Sequence, residues 1–84
     1  MTELLKENDF LRSSDIALVS ALGCYGYTIE AVDKVRSKAT FLIRRDRQLD
    51  NIIQQFWAGQ LRVEPLAYFN QLKAIKTRIY NIND

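Results

Sequence analysis

The sequence contains no histidine and a single cysteine, Cys24. Those two scarcities remove a large share of enzyme chemistry. The usual zinc sites, a cysteine–histidine pair and a Ser-His-Asp triad all need residues the chain does not have. One thiol also makes no disulfide within one chain. Proline occurs once and glycine three times, so no flexible or proline-rich linker divides the chain. No apolar run approaches the roughly 20 residues that cross a bilayer. The opening Met1-Thr2-Glu3-Leu4-Leu5-Lys6-Glu7 is charged and lacks the apolar stretch of a signal peptide. A lone thiol without an export signal sets the expectation of a cytoplasmic protein.

What is present is the material for one core. With 48% hydrophobic and 26% charged residues, the composition is that of a globular chain rather than a disordered one. At 84 residues folding buries roughly two-thirds of the chain's surface, enough for a single core. The expectation is one domain over 1–84 with an ordered part of about 9–80.

Ser13-Ser14-Asp15 reads as a helix N-cap cluster. Ile16, Val19 and Leu22 follow at helical spacing, and Gly23 is the expected left-handed stop. Phe10-Leu11-Arg12 before it suits a short edge strand. The runs 27–32 and 39–44 are β-prone and flank a polar segment, 33–38, which predicts an antiparallel hairpin. On this reading Tyr27, Ile29 and Ala31 face the core together with Ala39, Phe41 and Ile43. Leu49, Ile52, Ile53 and Phe56 then fall on one helical face, with Asp46 as N-cap and Gly59 as stop. Leu61-Arg62-Val63 is a connector or a minimal fourth strand. Pro65 opens a last helix whose stripe is Tyr68, Leu72, Ile75 and Ile79, reinforced by Leu66 and Phe69. The expected fold is α+β: a small antiparallel sheet with helices packed on one face, in the order β-α-β-β-α-(β)-α. If 61–63 pairs, the first six elements match the order of ferredoxin-like folds.

Several of these segments share a pattern: Phe10-x-x-Ser13-Ser14-Asp15-Ile16-Ala17-Leu18-x-x-Ala21-Leu22-Gly23, the hairpin ending Phe41-Leu42-Ile43, Phe56-Trp57-x-Gly59, and Val63-x-Pro65 leading to Phe69-x-x-Leu72-Lys73-x-Ile75-Lys76. Together they resemble a family of small bacterial and phage proteins labelled only as a domain of unknown function. The resemblance covers residues 9 to 80 and departs at Ile43-Arg44-Arg45, where an aromatic followed by acidic residues is expected. It implies a compact α+β domain and carries over no functional residue.

Candidates for chemistry are few. Asp46 and Asp50, like Glu3 and Glu7, are spaced to share a helix face, but the arginines around the first pair point to capping and surface pairing rather than acid–base work. Gly23-Cys24-Tyr25-Gly26 has the spacing of a backbone-clamping loop, yet it leaves a helix and enters a strand, which suits a turn. An RNA-recognition sheet would need more aromatics on its third strand than Phe41 alone.

Charge is unevenly spread. Residues 1–33 carry two basic and six acidic groups, whereas 34–47 carry six basic groups and one acid. Lys34, Arg36, Lys38, Arg44 and Arg47 are candidate contacts for phosphates or for an acidic partner, or else charges that guard a sheet edge. Trp57, Phe69 and Tyr80 are candidate protein contacts, because tryptophan and tyrosine are enriched at binding hot spots. The functional expectation is a small non-enzymatic binding or accessory module acting through protein–protein contacts or as a homo-oligomer. The alternative is a nucleic-acid-binding accessory protein using the basic hairpin 34–47. No cofactor, metal, membrane or small-molecule substrate is expected.

Overall fold

A computed structural model describes residues 9–81; Glu3 and Glu7 lie outside the described residues. The chain forms β1 (Phe10–Ser13), α1 (Ile16–Cys24), β2 (Ile29–Val35), β3 (Lys38–Arg44), α2 (Leu49–Trp57) and α3 (Pro65–Tyr80). This is the α+β order read from the sequence. The sheet order is β1-β3-β2, and β3 is antiparallel to both neighbours. Strands β1 and β2 therefore run parallel, joined through α1 with β3 set between them, which is a split βαβ unit. The fourth strand considered at 61–63 does not form; the sheet has three strands. Gly59 ends α2 and Glu64 caps α3, so residues 60–63 are consumed in joining them. Leu61 packs on the core as a single half-buried side chain.

Local chemistry sets the element ends. The Asp15 carboxylate accepts from the amides of Ala17 and Leu18 at 3.0 and 3.2 Å, and Ser13 Oγ accepts from the Asp15 amide at 3.1 Å. Glu64 accepts from the Ala67 amide at 2.7 Å, with Pro65 in the first helical position where its missing N–H costs nothing. The stop of α1 differs from the expectation. Gly23 lies within the last turn, and the left-handed residue is Gly26, with φ of 91°. At Gly23 a Cβ would meet the flexible end of the Gln71 side chain of α3, which would have to shift.

The hairpin is tighter than the polar 33–38 segment implied. Val35 pairs with Lys38, which leaves only Arg36 and Ser37 in the turn. Arg36 takes φ of 59°, the left-handed geometry that a two-residue hairpin demands. The register of β2 shifts between Ile29 and Ala31. Glu30 is thus an extra residue, and the core-facing position passes from Ile29 to Val32. Ala31, expected in the core, is exposed; a bulge of this kind moves every later side chain to the other face.

The core forms on one side of the sheet. Helix α1 supplies Leu18, Val19 and Leu22, β3 supplies Phe41 and Ile43, α2 supplies Leu49 and Ile52, and α3 supplies Ile75. Tyr68, Leu72 and Ile79 of α3 are half-buried, but Leu66 and Phe69, expected to reinforce them, are exposed. At 3.6 residues per turn Leu66 and Phe69 lie roughly 150° and 90° round the helix from the centre of the buried stripe.

One buried group in α1 is out of place. Ser20 is fully buried, and its hydroxyl has no hydrogen-bond partner among the described residues. A buried hydroxyl left unpaired costs about 1–3 kcal/mol. Ser20→Ala is expected to raise stability by about 1 kcal/mol, seen as a higher urea midpoint at unchanged slope. A lower midpoint would show that the hydroxyl is satisfied.

Candidate functional site

The alternation of β3 decides where the basic residues go. Phe41 and Ile43 turn into the core, so Lys38, Thr40, Leu42 and Arg44 share the opposite, open face of the sheet. Arg12 joins them, paired in register with Leu42. Lys34 pairs in register with Ala39 and belongs to the helix-side face. Arg36 is in the turn, and Arg47 is exposed in the loop before α2. Lys38 and Arg44 stand about 20 Å apart along β3. Five residues that are close in sequence are therefore divided among two faces, a turn and a loop.

Much of this charge is also engaged. Arg12 lies 3.6 Å from Asp33 across the open face. The Arg44 guanidinium stacks over the Phe10 ring, 4.9 Å from its centroid, a cation–π contact. Arg45 pairs with Asp50 at the start of α2. Asp50 and Asp46 thus serve different partners.

Asp46 is a structural junction. One of its carboxylate oxygens accepts from the Tyr27 hydroxyl at 2.6 Å and from the amides of Gln48 and Leu49 at 3.1 and 3.0 Å. The Tyr27 bond, joined by the two amide bonds, holds the Asp46 carboxyl below its ordinary range even though some desolvation pulls the other way. Burial, followed by the bond to Asp46 and its negative charge, pushes the Tyr27 hydroxyl up to about 12. Cys24 is half-buried; burial and then the charge of Glu64 raise its thiol, which keeps it protonated and unreactive near neutrality.

The exposed aromatics gather elsewhere. Trp57 ends α2 at 64% exposure, its ring set edge-on to that of Phe56 with centroids 4.9 Å apart. Phe56 packs on the core, so the pair divides into an anchor and an exposed ring. On α3, Leu66, Phe69 and Tyr80 are 63%, 52% and 82% exposed. Lys73 and Lys76, also exposed, complete a run at 66, 69, 73, 76 and 80, alternating three and four residues. Such spacing keeps all five within about 80° of arc, a continuous ridge beside the buried stripe. Lys73 Nζ lies 5.4 Å from the Phe69 ring centroid. The helical spacing alone puts Phe69 and Tyr80 partly outside the core face; the ridge that unites them with Leu66 is visible only as a second stripe in the same helix.

A cleft of about 380 Å³ opens between the end of α1, the start of β2 and α3, with Ile29 and Ile75 among its apolar walls and Arg78 the only charged group among the described residues that line it. Among the described residues no cluster of three or more His, Cys, Asp or Glu side chains is placed to hold a metal, and no helix is long and apolar enough to cross a membrane.

Residues 8–81 match the model of a protein family described as a domain of unknown function, DUF5659. No curated protein and no solved structure matches the chain.

The Tyr27–Asp46 bond makes stability depend on pH at both ends. Asp46 is held low in the folded state, so its contribution is complete above the ordinary carboxylate range and fades as pH falls through it. Tyr27 is raised from 10.0 to about 12, so its contribution is complete below 10.0 and is lost as pH climbs towards about 12. Urea midpoints measured across pH should fall at both extremes, and Tyr27→Phe should flatten the alkaline limb and weaken the acid one. An unchanged alkaline limb in Tyr27→Phe would remove the bond from the account.

Proposed function

The chain belongs to the DUF5659 family, a domain of unknown function, and on that footing we propose that it is a small non-enzymatic binding module acting through protein–protein contacts. The observation that carries this reading is the α3 ridge. Single exposed apolar residues are ordinary on a soluble domain, but Leu66, Phe69 and Tyr80 are spaced as a helix spaces its docking side chains. Trp57 adds a second exposed ring at the end of α2, of a type enriched where binding energy concentrates. A single cysteine with no second cysteine to pair with suits a cytoplasmic setting, and we place the module there.

The nucleic-acid reading of the hairpin 34–47 has support from Lys38 and Arg44 sharing the open face of the sheet. It is the weaker of the two, because Arg44 is stacked on Phe10 and Arg45 is paired with Asp50. Binding through phosphates should also fall with salt, with a log–log slope of about −3 for three or four contacts.

Capture from a native host extract separates the readings. The bait is compared with a variant carrying Leu66→Ala, Phe69→Ala and Tyr80→Ala, with and without nuclease. These side chains are exposed, so each change should move stability by no more than about 0.5 kcal/mol. Capture that survives nuclease and is lost in the variant supports a protein-binding ridge. Capture abolished by nuclease and indifferent to the variant supports the basic hairpin instead.

A further inference from the structure

We propose that the occupant of the α3 ridge is an acidic amphipathic helix of another protein: one with apolar side chains at both ends of its contact stripe and carboxylates at the centre. This rests on the protein-binding reading above and names the partner's chemistry. The ridge reads Leu66, Phe69, Lys73, Lys76, Tyr80 from one end to the other, a three-four repeat over about 21 Å of helix. That is the pattern one helix offers to another.

Charge selects among possible occupants. The segment Pro65–Tyr80 contains Lys73, Lys76 and Arg78 and no acidic residue, so neither ridge lysine has a carboxylate on its own helix. No ion pair to either lysine is present among the described residues. Lys73 instead leans over Phe69, which holds its ammonium at the middle of the ridge. A second copy of this chain meets the ridge badly. With the two helices antiparallel about a dyad at residue 73, Leu66 would face Tyr80 and Lys73 would face Lys73. With the helices parallel, both lysine layers would face themselves. Like charges at the centre of a self-complementary contact oppose assembly. A bilayer is also a poor fit, because an interfacial helix keeps its apolar face continuous and its lysines at the margin. Here the lysines interrupt the stripe. A helix with two central carboxylates supplies the missing charge while its ends cover Leu66, Phe69 and Tyr80.

The test uses the full chain and a fluorescent synthetic helix whose three-four stripe carries leucines at the ends and two glutamates at the centre. A second peptide has lysines in place of the glutamates. Fluorescence anisotropy should show the acidic peptide binding the wild-type chain. The double variant Lys73→Glu, Lys76→Glu should bind it roughly tenfold more weakly, since two exposed pairs turn from attraction to repulsion. The lysine peptide should reverse that order, and such a swap excludes misfolding as the cause. Equal binding of both peptides by the wild-type chain, or binding of neither, overturns the proposal. So does sedimentation of the wild-type chain as a dimer that the triple alanine variant abolishes. Co-sedimentation with phosphatidylserine vesicles in preference to the acidic peptide overturns it too. If the acidic peptide fails while the triple alanine variant still loses its captured partner, the ridge stands as a protein contact and only the partner's chemistry is wrong.

Discussion

Phe41 and Ile43 sit on the one strand paired along both edges, and each is 1% exposed beneath the helices. Burying two side chains of this size contributes about 1.5–3 kcal/mol apiece. The larger effect is on placement. Side chains of a strand alternate, so a slip of one residue would expose both and bury Leu42 and Arg44. Fixing Phe41 and Ile43 fixes the open face as well, including Thr40, which meets Ser14 Oγ at 3.1 Å, and Arg44, which lies over Phe10. Leu18 and Leu22 of α1, Leu49 of α2 and Ile75 of α3 then converge on the same two residues' side of the sheet. What remains for recognition is the surface this arrangement leaves outside: the open sheet face, the end of α2 and the outer flank of α3.

Charge counted along the chain and charge displayed on the surface give different pictures. The segment 34–47 carries six of the twelve basic residues, yet the fold disperses them over two sheet faces, a turn and a loop, sets Arg44 over Phe10 and brings Asp50 to Arg45. The segment 48–84 is nearly balanced, with four basic and three acidic residues, yet its acids all lie off α3. Topology dilutes the first cluster and concentrates the second.

The architecture was legible where a local rule acts alone. Asp15 caps α1 because a carboxylate can reach amides two and three residues on, and Pro65 opens a helix because its ring presets the backbone. Asp46 makes the same reach to Gln48 and Leu49, but α2 starts later and its N-cap is Gln48. The alternation at Phe41 and Ile43 was equally readable. The misses share a different cause, since each depends on a neighbour distant in sequence. The extra residue at Glu30 exists only relative to β3, so nothing local moved Ala31 out of the core. Gly23 lies against the Gln71 side chain of α3, whereas its position near a helix end suggested a cap. Leu66 and Phe69 belong to one of two apolar stripes on α3, and periodicity alone does not say which stripe meets the sheet. For the candidate site, residue type and helical spacing identified Trp57, Phe69 and Tyr80 as surface candidates, but the grouping with Lys73 and Lys76 needed the helix's rotational setting.

The placement of β3 between β1 and β2 has a kinetic consequence. The hairpin of β2 and β3 is local, closed by a turn of two residues, and belongs to the class of structure that forms in microseconds. Pairing of β1 with β3 joins Phe10 to Arg44 and Ser13 to Phe41, across the whole of α1 and β2. Each such closure loses chain entropy before it gains contact energy. A hairpin alone is marginal in water, so the early structure has little to rest on until α1 folds back and delivers β1 to the exposed edge of β3. The largest loss of chain entropy in closing the sheet therefore falls on the return of the first strand, and the helix that carries it back is the one whose Leu18, Val19 and Leu22 fill the core.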